Sequence, residues 1–209
     1  MDPLKPIFPL GTVLFPGLPL PLHIFEDRYK QMMRRCIDDP RPFVVALIKK
    51  GQEALGGLAE PFEVGTTASI RQVDYLEDGK LNLLASGVER VRIKHTSHDL
   101  PYLSGTVEPF PYPDEDVSGA AQSLRNVAHE FIRIVSKTHK VSNLELPDDA
   151  KDLIFLCASI LPVSCQVRQS FLETERLSDL AHDLQQHIER QLALIAAVGT
   201  EPAKDPYLN

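Results

Sequence analysis

Proline punctuation at the start of the chain constrains the fold more than any other feature. Pro9, Pro16, Pro19 and Pro21 fall within Ile7 to Tyr29 and break apolar segments such as Ile7-Phe8, Val13-Leu14-Phe15 and Leu18 to Ile24. Proline fixes φ and donates no backbone hydrogen bond, so it is confined to turns, first helical turns and the edges of sheets. These segments therefore cannot be central strands throughout; an edge or irregular path is expected. The same stretch runs directly into an amphipathic helix. Tyr29, Met32, Met33, Cys36 and Ile37 share one stripe, while Arg28, Lys30, Gln31, Arg34 and Arg35 mostly face elsewhere. Such a helix is expected to cap the open end of a sheet or barrel.

The rest of the first half reads as short strands. Phe43 to Ile48 suits a buried strand, and Val64, Ala68 and Ile70 lie on one face of a strand from Val64 to Val73. Asp78-Gly79 sits between apolar segments, where a tight hairpin needs residues tolerant of positive φ. A strand follows from Leu81 to Ala85. Gly87 marks a bulge or sharp bend, after which Val91 and Ile93 alternate with Arg90, Arg92 and Lys94. Ser104 to Phe110 forms the last strand of this half.

Phe110-Pro111-Tyr112-Pro113 and the acidic run Asp114 to Asp116 end the strand pattern, and helical periodicity takes over. Leu124, Val127, Ala128, Phe131, Ile134 and Val135 describe one helix. Leu146-Pro147-Asp148-Asp149 starts another, with acidic residues placed to complement the helix dipole. Pro162 stops it, a short helix spans Cys165 to Leu172, and a long stripe from Leu177 through Leu180, Ala181, Leu184, Ile188 and Leu192 to Ile195 ends near Gly199. The expected architecture is α+β. A β-rich domain with one early helix occupies residues 1–113, a C-terminal helical bundle occupies 114–199, and a disordered tail covers 200–209.

Charge narrows the function. Residues 1–50 carry 8 Lys+Arg against 5 Asp+Glu, residues 51–113 carry 5 against 9, and residues 114–209 carry 9 against 15. Two acidic regions out of three disfavour nucleic acid as a partner, since phosphate binding needs a basic footprint. Three cysteines without a C-x-x-C pair suit a reduced cytosolic chain. The opening residues do not read as a signal peptide, and no apolar run is long enough to span a membrane. A cytoplasmic protein is expected.

Chemistry-bearing patterns are few. Gly51, Gly56 and Gly57 lack the Lys-Ser or Lys-Thr of a phosphate-binding loop and read as a flexible loop. Ser86-Gly87 and Ser104-Gly105 lack a G-x-S-x-G elbow. His182 and His187 are five apart, which turns them off a common helical face and argues against a zinc pair. Cys157 and Cys165 read as core packing, and Asp114 to Asp116 and Asp148-Asp149 as solvating or dipole-complementing groups. No catalytic residue, cofactor or metal site is nominated.

Three segments in order carry a family resemblance. The opening Ile7 to Tyr29, the strand Phe62-Glu63-Val64-Gly65-Thr66-Thr67-Ala68-Ser69-Ile70, and Leu84-Ala85-Ser86-Gly87-Val88-Glu89-Arg90-Val91-Arg92-Ile93 resemble the amino-terminal, substrate-binding domain of Lon-type proteases. That domain also occurs alone in small bacterial proteins, and a stand-alone member is expected. The resemblance implies a PUA-like pseudo-barrel followed by helices, and a role in handling protein substrates without the protease chemistry. Some relatives carry a zinc module built on C-x-x-C pairs, which has no counterpart here.

The leading expectation is a non-enzymatic module that binds unfolded or extended polypeptide segments, or a partner protein, in proteolysis or quality control. A proline-broken edge would leave backbone groups unpaired, with Phe15, Leu18 and Leu20 as apolar contacts beside it. The rival for those side chains is a place in the core. Two other readings are RNA recognition through Arg90, Arg92 and Lys94, which equally suit a solvated strand face, and an uncharacterised hydrolase, for which no nucleophile pattern is found.

Overall fold

Strand pairing follows the proline and glycine punctuation of the chain. The computed structural model describes residues 4–52, 59–139 and 145–198. The chain divides between Pro111 and Tyr112 into two units, one built on a sheet and one on helices. Gly56, Gly57, Gly199 and the tail 200–209, for which a loop, a helix end and disorder were expected, lie outside the described residues.

The first unit contains β1 (Lys5–Leu10), β2 (Pro19–Ile24), α1 (Asp27–Asp38), β3 (Phe43–Lys50), β4 (Glu60–Pro61), β5 (Val64–Tyr75), β6 (Leu81–Ser97) and β7 (Ser104–Pro109). Pairings run in a ring: β1 with β7, β7 with β6, β6 with β5, β5 with β3, and β3 with β1, the last being parallel. The long β6 belongs to the ring through its second half. Its first half, Leu81 to Ser86, lies between β5 and β2 and extends the sheet.

In the ring, β1, β3 and the first half of β5 are buried along most of their length on both faces. Ile7, Val44, Ala46, Val91, Ile93 and Leu103 form one cluster. Phe8, Leu10, Phe43, Val45, Ala68, Leu81, Leu83 and Ala85 form another with Tyr29, Met32, Met33 and Cys36 of α1. The expected helix stripe is the buried one. Phe8 and Tyr29 rings lie 4.4 Å apart, and the buried Met32 and Met33 each contribute about 2 kcal/mol at most.

Double-sided burial explains one difference from the sequence reading. Val64, Gly65, Thr66, Thr67 and Ala68 are all buried, so no alternation shows in the first half of β5. Beyond it the register shifts between Ile70 and Gln72, where Arg71 is the extra residue of a bulge. The hairpin to β6 turns at Asp78 (φ 60) and Gly79 (φ 67), the pair of positive φ values that a type I′ turn requires. β6 runs unbroken through Gly87, and the bulge expected there falls just after it: Ala68 pairs with Gly87, but Thr66 pairs with Arg90.

The second unit contains α2 (Ser118–His139), α3 (Ala150–Ile160), α4 (Cys165–Glu173) and α5 (Leu177–Val198), with α2, α3 and α5 in mutual contact. Asp149 caps α3 by accepting from the Lys151 and Asp152 amides, both at 2.9 Å. Ser164 caps α4 in the same way through the Val167 amide. Leu124, Phe131, Leu153, Phe155, Leu172 and Leu184 are buried; the α5 stripe is buried to Ile188 and half-buried at Leu192 and Ile195.

Candidate functional site

The path of residues 14 to 24 sets the surface of interest. Phe15-Pro16-Gly17-Leu18 is a type II turn: proline pre-sets the first central position, Gly17 takes φ 78 at the second, and the Leu18 amide donates to the Phe15 carbonyl at 3.3 Å. The turn is pinned to the sheet. The Thr66 hydroxyl donates to the Leu14 carbonyl, the Gly17 amide to the Gly87 carbonyl at 3.0 Å, and the Gly87 amide to the Leu18 carbonyl at 2.9 Å. The chain crosses Gly87 so closely that a Cβ there would lie 2.3 Å from the Phe15 carbonyl oxygen. Sequence reasoning placed a bend at Gly87 but missed this crossing, and the Pro16-Gly17 dipeptide was the available signal for the turn.

Because the Leu18 carbonyl faces β6, the backbone groups of Leu20, Leu22 and Ile24 face it too, whereas those of Pro19, Pro21 and His23 face outward. The two prolines thus occupy positions where no ladder bond is lost, the one phase in which β2 can pair at all. Side chains alternate across the same strand. Leu18, Leu20 and Leu22 are half-buried against the core, while Pro19, Pro21 and His23 are exposed. Phe15 is fully buried, which takes its side chain off the surface; it belongs to the core.

The opposite face of this sheet is open. Across it Pro21 pairs with Leu84 and Leu84 with Gln72, while His23 pairs with Asn82 and Asn82 with Asp74. These six residues line a depression of about 420 Å³. His23 Nδ1 lies 2.8 Å from Asn82 Oδ1, and its ring stacks on Phe25 at 6.0 Å. Phe25, Tyr75, Leu76, Leu84 and Val88 are the exposed large apolar side chains around β2 and the β5–β6 hairpin. Clustering of this kind marks interaction surfaces more often than scattered apolar residues do.

The cationic strand face does not survive as expected. Arg90 is buried, with its guanidinium 4.4 Å from the Phe110 ring centroid, and Arg92 sits 4.5 Å from the same ring. Lys94 pairs with Glu108 at 2.6 Å. Phe110, just past the end of β7, packs on two of the three cations, so they do not form the free strand face on which the RNA reading drew.

A second cavity, about 380 Å³, lies at the end of α1 between Leu4, Arg35, Cys36, Leu100, Tyr102 and Ser104. Arg35 donates to the Tyr102 hydroxyl at 3.0 Å. Burial pushes the Cys36 thiol up to about 11 and the Cys157 thiol up to about 12, the latter opposed by Arg125, so neither is a ready nucleophile. Among the described residues no group of three or more His, Cys, Asp or Glu is placed to hold a metal ion. His182 pairs with Gln186, and His187 meets the Phe171 ring edge-on at 5.3 Å.

The family model described as "ATP-dependent protease La (LON) substrate-binding domain" matches residues 5–190. The chain belongs to this family. Lon protease of Escherichia coli K12 is 24% identical over 196 residues, which is 91% of this chain and 25% of that protein. Lon protease of Koribacter versatilis is 29% identical over 200 residues, 90% of this chain and 24% of that protein. The chain therefore spans about a quarter of the length of these Lon relatives. Among solved structures, the Lon N-terminal domain protein from Xanthomonas campestris is 25% identical, covers 91% of this chain and 98% of its own, and superposes with a TM-score of 0.58. The N-terminal domain of Mycobacterium avium complex Lon protease reaches 0.70 at 13% identity, covering 90% of this chain and 98% of its own, which speaks for the fold alone.

The segments that carry the likeness, Ile7 to Tyr29, Phe62 to Ile70 and Leu84 to Ile93, are the ones that meet around Gly87. No helix among the described residues is long and apolar enough to cross a membrane.

Proposed function

We propose that this chain is a polypeptide-binding module that engages exposed apolar or extended segments of protein substrates, without making or breaking bonds in them, in proteolysis or protein quality control. The observation that carries this reading is the edge strand β2. With Leu18 just before it, it holds Leu20 and Leu22 half-exposed along one side and Pro19, Pro21 and His23 along the other, beside the exposed Phe25 and Leu84. Apolar surface held on a rigid sheet, with neighbours that make no catalytic constellation, suits recognition of chain segments that a folded protein would bury. Family membership supports it, because the family description names substrate binding. Leu18 and Leu20 are the proposed contacts, and Phe15, being fully buried, is not one.

The test is titration with a chemically unfolded, carboxymethylated protein, followed by amide NMR. Shifts concentrated at residues 17 to 25 and 82 to 88, with weaker binding in Leu18→Asp and Leu20→Asp, are expected. Absence of any saturable shift would overturn the proposal.

A further inference from the structure

The sheet segment β2–β6–β5 has two edges with opposite chemistry. On β2 the outward backbone positions are Pro19, Pro21 and His23, so His23 is the one amide donor available from Pro19 to Ile24. That edge repels an added strand. On β5, pairing with β3 stops at Ala68, and from Ser69 to Tyr75 the strand is paired with β6 along one side. The Leu76 amide donates to the Lys80 carbonyl at 2.9 Å, which fixes the phase: Asp74 and Gln72 turn their backbone groups to β6, and Tyr75 and Val73 turn theirs outward. This run contains no proline, and the Arg71 bulge ends it on the other side.

We infer that the outer edge of β5, from Gln72 to Tyr75, takes substrate polypeptide as an added strand, in a site that rests on the polypeptide-binding reading above. The occupant is an extended, proline-free segment in which apolar residues alternate with Lys or Arg. Backbone bonds to Val73 and Tyr75 hold it whatever its sequence. Alternation then sorts its side chains. Those on one face lie beside Val73 and the Tyr75 ring, which is 70% exposed, and favour apolar groups. Those on the other face lie beside Gln72 and Asp74, next to the depression lined by Leu84, where the exposed Asp74 carboxylate favours a cation.

A capped peptide of alternating valine and lysine is the probe, and its copy with N-methylated valine amides is the control. With the unaltered protein, the Val73 and Tyr75 amides are expected to become protected from hydrogen exchange when the first peptide is added and to stay unprotected with the second. Tyr75→Pro, which removes an outward donor and leaves the β6 ladder whole, is expected to weaken binding about tenfold. If the peptide binds but protects amides elsewhere, or binds Tyr75→Pro unchanged, the β5 edge is not the site while the module still binds polypeptide. If neither the peptide nor the unfolded protein binds at all, the polypeptide-binding reading falls and this inference with it.

Discussion

Replacing Gly87 by alanine tests the crossing on which the whole β2 edge depends. The added methyl would meet the Phe15 carbonyl oxygen at 2.3 Å, the Phe15 carbonyl carbon at 3.1 Å and the Pro16 Cα at 3.2 Å. A carbon–oxygen contact relaxes at about 3.3 Å, so the strands must part by about 1 Å. All three atoms are backbone, and no rotamer change relieves the clash. Parting also stretches the Gly17-to-Gly87 and Gly87-to-Leu18 bonds, now 3.0 and 2.9 Å, beyond hydrogen-bond range. Two lost backbone bonds at about 1 kcal/mol each, with about 1–3 kcal/mol of overpacking, outweigh the gain of about 0.4–1 kcal/mol from a stiffer unfolded chain. The expected loss is about 2–4 kcal/mol, or roughly 10–30 °C in the melting of a unit of this size. The chain has no tryptophan, so far-UV circular dichroism during urea and thermal unfolding is the assay. Gly119→Ala is the sign control: a Cβ there meets nothing within 4 Å, and in α2 it should gain up to about 1 kcal/mol. If Gly87→Ala is neutral or stabilising, or shifts stability in the same direction as Gly119→Ala, the close-approach reasoning is wrong.

Phe15→Ala should cost about 3–5 kcal/mol by the same assay, since the ring is wholly buried, whereas Leu18→Ala at a half-buried position should cost clearly less; equal costs would place Leu18 in the core. The Glu115 carboxyl is raised by desolvation, but the Ser178 hydroxyl and amide and the Arg176 guanidinium together outweigh this and hold it below the usual carboxylate range. Its stabilisation is therefore present above the unfolded-state value and lost as pH falls through the lower folded one, so Glu115→Gln should lower the melting temperature at neutral pH and make little difference near pH 2. At pH 8 a thiol reagent should label the half-exposed Cys165 first. Cys36 and Cys157, pushed up to about 11 and about 12 by burial, should label with it only on unfolding, as mass spectrometry of the labelled chain would show.

Periodicity made most elements legible in the sequence, because α1 and α5 bury single stripes and β3 is a short apolar run. What it could not reveal depends on residues distant in sequence. β5 looked half-buried by alternation, but Val64 to Ala68 are all buried, and Thr66 is bonded to the Leu14 carbonyl of a segment some fifty residues upstream. Arg90, Arg92 and Lys94 looked like one cationic face because Phe110, which packs on the two arginines, lies beyond the next strand. Phe15 and Leu18 looked equivalent in sequence. The Pro16-Gly17 turn between them sends one inward and leaves the other at the edge.

The extent of the open edge also limits how tightly it can hold a chain. A long, flat, unpaired edge invites association of the protein with itself, and natural sheets blunt such edges with proline, bulges and charge. Here Pro19 and Pro21 blunt β2, while the Arg71 bulge and the turn at Asp78-Gly79 confine the open part of β5 to Gln72–Tyr75. Val73 and Tyr75 then offer their amides and carbonyls, a handful of backbone bonds at about 1 kcal/mol each before the cost of ordering the peptide. Contact with the Tyr75 ring and Leu84 adds a comparable amount, which places a single short segment near a Kd of about 0.1–1 mM. Affinity should then rise steeply when two such segments are joined in one chain to reach β5 and the Leu18–Leu20 row together. Isothermal titration with the single and the linked peptide separates these cases. A single short segment binding in the nanomolar range would show that recognition rests on something other than this edge.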